Sequence, residues 1–101
     1  MHTQITARHF TASPALQTYA SDRLSRLEKY YDGITDAHVV LEEQPAAKAA
    51  EITLNVYRQR LAAQDAGSTH EEAIDRCVER LRKQIIRYKA KLRSKKRDVH
   101  H

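Results

Sequence analysis

The sequence predicts an α+β fold, a single domain of order β-α-β-β-β-α with both helices packed on one face of a four-stranded sheet. Three observations lead there. A chain of 101 residues has room for one core. Two long stretches repeat their apolar residues at helical spacing behind recognisable caps. The segments before and between them alternate with the period of a strand.

Residues 3–10, TQITARHF, alternate loosely around Ile5 and Ala7 and read as the first strand. Ser13-Pro14 is a helix start: the hydroxyl caps, and proline sits at the first helical position, where its missing N–H costs nothing. The first helix is expected from Pro14 to about Tyr31, with Leu16, Ala20, Leu24, Leu27 and Tyr31 forming its buried stripe. Asp32-Gly33 is expected to end it, glycine taking the left-handed conformation.

Residues 36–43, DAHVVLEE, form the second strand, with Ala37, Val39 and Leu41 on one face. QPAAKAA (44–50) reads as a connection. EITLNVY (51–57) alternates cleanly as the third strand, RQR (58–60) as a tight reversal, and LAAQDA (61–66) as a fourth, edge strand. The reversal lacks the glycine or asparagine that a hairpin turn favours. Thr69 and Glu72 have capping-box spacing and open the second helix. Its apolar residues Ile74, Val78, Leu81, Ile85, Tyr88 and Leu92 recur at spacings of 4, 3, 4, 3 and 4. The domain is expected to span 1–93, followed by a basic, flexible tail at 94–101.

Charge is where the sequence speaks about function. The net charge is +5, but residues 76–97 carry eleven Lys and Arg against one acid, Glu79, so this segment alone sums to +10 and the remainder to −5. Clustered charge points to a polyanion, nucleic acid first and an anionic membrane surface second, with an acidic protein as a further alternative. Arg76, Arg80, Lys83, Arg87 and Lys91 form a ridge opposite the apolar stripe, with Arg82, Lys89 and Arg93 in a second line. Solvated helix faces ordinarily mix signs, and this ridge has almost no acids to mix with.

On the first helix Tyr19, Arg23, Arg26 and Tyr30 share a strip at spacings of 4, 3 and 4. Guanidinium groups fork onto phosphates and aromatic rings stack on bases, so the strip suits RNA. Tyr19 is expected to wedge against the sheet with its hydroxyl in solvent, while Tyr30 reads equally as packing or as a stacking ring. With the helices side by side, strip and ridge are expected to flank one basic cleft.

Catalysis finds no support. His9, His38 and His70 lack metal-ligand spacing, and with glycine only at 33 and 67 there is no phosphate-cradling loop. Cys77, the single cysteine, excludes an internal disulfide and reads as a buried structural thiol. No stretch approaches the length of a membrane span or the apolar run of a signal peptide. A cytoplasmic protein with no cofactor, no bound metal, no membrane contact and no small-molecule substrate is expected.

With these residues in place, the sequence resembles the ribosome hibernation-promoting factor family, also called ribosome-associated inhibitor or sigma-modulation proteins. The likeness runs from ITARHF through RLSRLEKYYD and HVVLE to EAIDRCVERLRKQIIRYKAKLR. It implies a fold similar to double-stranded-RNA-binding domains. It also implies a binding site on the small ribosomal subunit and its ribosomal RNA, in the decoding and tRNA channel, which blocks translation in idle or stressed cells. The family's RNA-contacting positions correspond here to Arg23 and Arg26 on the first helix and to Arg80, Lys83, Arg87, Lys89 and Lys91 on the second; Tyr30 joins them from the strip. Relatives often carry D-x-Y near the start of the second helix, where this chain has Thr69-His70-Glu71. The turn Tyr57-Arg58-Gln59-Arg60 is more basic than theirs and is a candidate for an added phosphate contact. The chain is expected to be of the short type, without the dimerisation domain of longer members. A general structured-RNA binder and a protein-interaction regulator are the alternative functions.

Overall fold

The computed structural model describes the backbone of residues 1–99 and the side chains through Arg93. Strand β1 (His2–Arg8) leads into helix α1 (Pro14–Ser25) and a 3₁₀ turn (Arg26–Lys29). Strands β2 (Asp36–Glu43), β3 (Lys48–Val56) and β4 (Gln59–Gly67) follow, then helix α2 (His70–Val99). Much of the expected tail 94–101, its side chains and its last two residues, lies outside the described residues.

The strands lie in the order β1-β2-β3-β4, with β1 parallel to β2 across α1 and the rest antiparallel. The register sets Ile5, Val39, Ile52 and Ala63 in one row and Ala37, Leu54 and Leu61 in the next. These rows form the face the helices cover, against Leu24 and Leu27 from the first helical segment and Ile74, Cys77, Leu81 and Ile85 from α2. Period-2 alternation on the strands and period-3.6 on the helices thus meet in one core.

Beyond shifts of one or two residues at strand ends, among them the hairpin reversal, which falls at Tyr57-Arg58 and not at 58–60 so that β4 begins at Gln59, three features differ from expectation. First, β3 begins at Lys48, not after Ala50, so only Gln44–Ala47 connect it to β2, closed by reciprocal backbone hydrogen bonds between Gln44 and Ala47. Alanines weak in strand propensity are carried by pairing with β2 and β4 on both sides. Second, the first helix tightens to 3₁₀ at Arg26 and ends at Lys29, which leaves Leu27 buried and Tyr31 against the ring of Tyr88, centroids 5.4 Å apart. Third, Gly33 does not take a positive φ. It is needed for space, since a Cβ there would lie 2.3 Å from the Tyr31 ring.

Candidate nucleic-acid interface

Helix α2 starts as the capping residues predict. The Glu72 N–H donates to Thr69 Oγ1 at 3.1 Å. The return half of the box is diverted, because the Glu72 carboxylate accepts from the Ser68 hydroxyl and pairs with Arg76 at 2.7 Å. Glu71 and Glu72 stand in the first turn, where they complement the helix dipole. The cations that follow then divide by position along the helix.

In the first turns every arginine has an acid. Arg76 pairs with Glu72 and donates to the Ala66 carbonyl at 2.6 Å. Arg80 Nε lies 3.2 Å from Asp65 Oδ2 on β4. Arg82 forks onto Glu79 at 2.5 and 3.1 Å, a bond that holds its guanidinium above the usual pKa. From Lys83 onward the pattern stops. Lys83, Arg87, Lys89, Lys91 and Arg93 have no ion-pair partner among the described residues, and all but the half-buried Lys89 are exposed.

The helix-one strip divides in the same way. Arg23 lies over the Tyr19 ring, 4.8 Å from its centroid, and its Nε sits 3.3 Å from Asp75 of α2. The Tyr19 hydroxyl is not left to solvent: it donates to the same carboxylate at 2.8 and 2.9 Å. Burial and then this contact raise the Tyr19 pKa. These contacts lock the two helices together and occupy half the strip. Arg26 and Tyr30, in and just after the 3₁₀ turn, are exposed, and Tyr30 stands near enough to Arg82 to add to the raised pKa of that guanidinium.

The single cleft expected between strip and ridge does not form, because the ridge leans the other way. Arg76 and Arg80 reach back to β4, Gln84 donates to the Ala62 carbonyl, and Arg87 and Lys91 border a recess with Gln59 and Leu61. The second line, Arg82, Lys89 and Arg93, is the one on the side of helix one, by its spacing from Asp75. The eight expected RNA-facing residues thus fall into two sets. Arg26, Tyr30, Lys83, Arg87, Lys89 and Lys91 stand without an acid partner among the described residues, whereas Arg23 and Arg80 are engaged within the fold. Sequence spacing could not reveal Asp65 and Asp75 as the partners, since both contacts are tertiary.

Because α1 and α2 run parallel, with Tyr19 beside Asp75 and Tyr31 beside Tyr88, the molecule is polar along its helices. One end gathers Asp65, Glu71, Glu72, Asp75 and Glu79, with Arg76 and Arg80 among them, around a shallow recess; the other gathers aromatic rings and cations unpaired among the described residues. Cys77 offers no reactivity: it is fully buried, donates to the Ala50 carbonyl at 3.4 Å, and burial pushes its pKa up to about 11.

Fold and surface together define the class: a small α+β domain presenting a cationic face at one end of a long helix. The chain belongs to the Sigma 54 modulation protein / S30EA ribosomal protein family, whose model matches residues 3–93. Similar proteins include the ribosome hibernation promoting factor of Escherichia coli K12, 28% identical over 93 residues, covering 92% of this chain and 98% of that protein. That of Azotobacter vinelandii is 29% identical over 91 residues, covering 90% and 85%. Among solved structures, the Thermus thermophilus Protein Y N-terminal domain superposes with a TM-score of 0.80 at 29% identity, covering 87% of this chain and 99% of that one. A ribosomal subunit interface protein from Coxiella burnetii shares the fold with a TM-score of 0.84 at 24% identity, covering 89% and 99%.

Proposed function

We propose that the protein is a ribosome hibernation factor of the cytoplasm. In this reading it binds the small ribosomal subunit through ribosomal RNA, occupies the channel where messenger and transfer RNA would sit, and silences translation by steric exclusion, without catalysis or a cofactor. The observation that carries the reading is the run Lys83, Arg87, Lys89 and Lys91, four cations on one helix end with no acid among the described residues to neutralise them. Self-repulsion of that kind is relieved by phosphates. The names of its relatives supply the ribosome. Residues 1–93 would be the binding domain and 94–101 an added basic tail.

The test is sedimentation of the full chain with ribosomal subunits through a sucrose cushion at low and moderate salt, beside an unrelated structured RNA. Saturation near one copy per small subunit is expected, with a log-log salt slope of roughly −4 to −5 for about six phosphates. Equal, unsaturable binding to the control RNA would instead mark a general RNA binder. Inhibition of translation in a reconstituted system then tests the block.

A further inference from the structure

The β3–β4 hairpin is built against ordinary turn chemistry. Val56 pairs with Gln59, leaving Tyr57-Arg58 as a two-residue loop, and Arg58 takes a φ of 59°. That left-handed conformation is where glycine or asparagine is favoured and an arginine is penalised. Tyr57 is 61% exposed, the largest value among the big hydrophobic side chains, and the Arg58 guanidinium lies 5.2 Å from its ring centroid.

The tip is nevertheless held firmly. The Tyr88 hydroxyl donates to the Tyr57 carbonyl at 2.6 Å, and Tyr88 is itself buried against Tyr31. A recess of about 170 Å³ opens between tip and helix, lined by Tyr57, Arg58, Gln59, Tyr88, Lys91 and Leu92. No acid lines it among the described residues. A fixed backbone thus presents an exposed aromatic ring, with the Arg58 guanidinium over one of its faces, beside an ammonium.

We propose that this tip is a separate RNA contact, taking one unpaired nucleotide with its base stacked on Tyr57 and its phosphate on Arg58 and Lys91. The inference rests on the reading of the chain as an RNA binder. A stacked base matches the ring and a phosphate matches the cations. An acidic peptide would use only the cations, and the bases of an intact duplex are already stacked on one another.

The experiment compares the wild-type chain with Tyr57→Ala, Tyr57→Phe, Tyr57→Leu, Arg58→Gly and the double variant Lys83→Glu/Arg87→Glu. Binding is measured to ribosomal subunits, to a short oligouridylate and to polyglutamate, with urea unfolding alongside. Tyr57→Ala and Tyr57→Leu are expected to weaken RNA binding about fivefold or more, and Tyr57→Phe to retain it. Arg58→Gly is expected to reduce the salt slope by about one while holding or raising the urea midpoint, because glycine accepts the turn. Tip variants that bind both RNAs like wild type, while the helix double variant fails, would overturn the tip contact and leave the ribosome reading standing. Equal losses on polyglutamate would overturn nucleotide recognition in favour of a plain charge patch. A wild-type chain that binds neither RNA would overturn both readings.

Discussion

The two halves of helix α2 share one amphipathic pattern and differ in everything the exposed side does. Up to Arg82 the helix is a structural strut: Ala73, Ile74, Cys77 and Leu81 are buried, and Arg76, Arg80 and Arg82 are each answered by an acid. Beyond Lys83 burial thins to Ile85 and Tyr88 with a half-buried Leu92, Ile86 is 46% exposed, and the cations stand alone among the described residues. The contrast teaches that net charge per helix is a poor guide to a binding face. What distinguishes a ligand-seeking cation from a structural one is whether the fold has already supplied its counter-ion.

The sharpest way to break this division is to damage each half and read both stability and binding. Ile74→Ala, at a site with no exposed surface, is expected to cost about 2–5 kcal/mol by urea unfolding while the remaining folded protein binds ribosomes with unchanged affinity. Lys83→Glu/Arg87→Glu is expected to do the reverse. Binding should fall by about two orders of magnitude with a shallower salt slope, and the urea midpoint should barely move, since exposed substitutions stay within about 0.5 kcal/mol. A stability loss from the second pair, or an affinity loss from the first, would merge the halves.

A third prediction sharpens the structural half alone. The Cys77 pKa is raised from 9.0 to about 11 by burial first and the Asp65 carboxylate second. The unfolded thiol therefore loses its proton at lower pH than the folded one, and the folded state binds more protons above pH 9. Stability is constant below the unfolded pKa and falls as pH rises from about 9 toward about 11. Tyr88, pushed up to about 12 by burial and then Tyr31, adds a decline in the same direction at higher pH. Cys77→Ala should flatten the lower part of the urea-midpoint curve, and a thiol reagent at pH 8 should react with the wild type only at the rate of unfolding.

Most of the fold was legible because it rests on periodicity. Strand β2 runs over the residues its alternation predicts, and Ile74, Leu81, Ile85 and Tyr88 are buried as their spacing requires. Helix caps at Ser13 and Thr69 form from local chemistry alone. What escaped depends on contacts far apart in the chain. Gly33 answers to the Tyr31 ring and not to a helix cap, Tyr19 answers to Asp75, and the ridge leans toward β4 because Asp65 and the carbonyls of Ala62 and Ala66 are there. Tyr57 had one local signal, an aromatic in a turn without glycine, but its exposure needed the hairpin register.

The smallest expected effect is the most discriminating. Asp65 sits at the edge of β4, its side chain 21% exposed, where Oδ1 accepts the Ala66 N–H at 2.8 Å and Oδ2 meets Arg80. Asp65→Asn keeps an oxygen for the backbone contact and removes the charge that engages Arg80. A partly exposed ion pair of this kind contributes on the order of 1 kcal/mol or less to stability, so the urea midpoint should shift little. If neutralisation within the fold is what separates the halves, Arg80 becomes a free cation beside Lys83, and ribosome affinity should rise about two- to threefold with a salt slope steeper by roughly one. An unchanged affinity, together with an indifferent Arg80→Glu, would mean that Arg80 lies beyond the reach of the RNA, and the boundary between the halves would be set by the footprint of the ribosome and not by ion pairing.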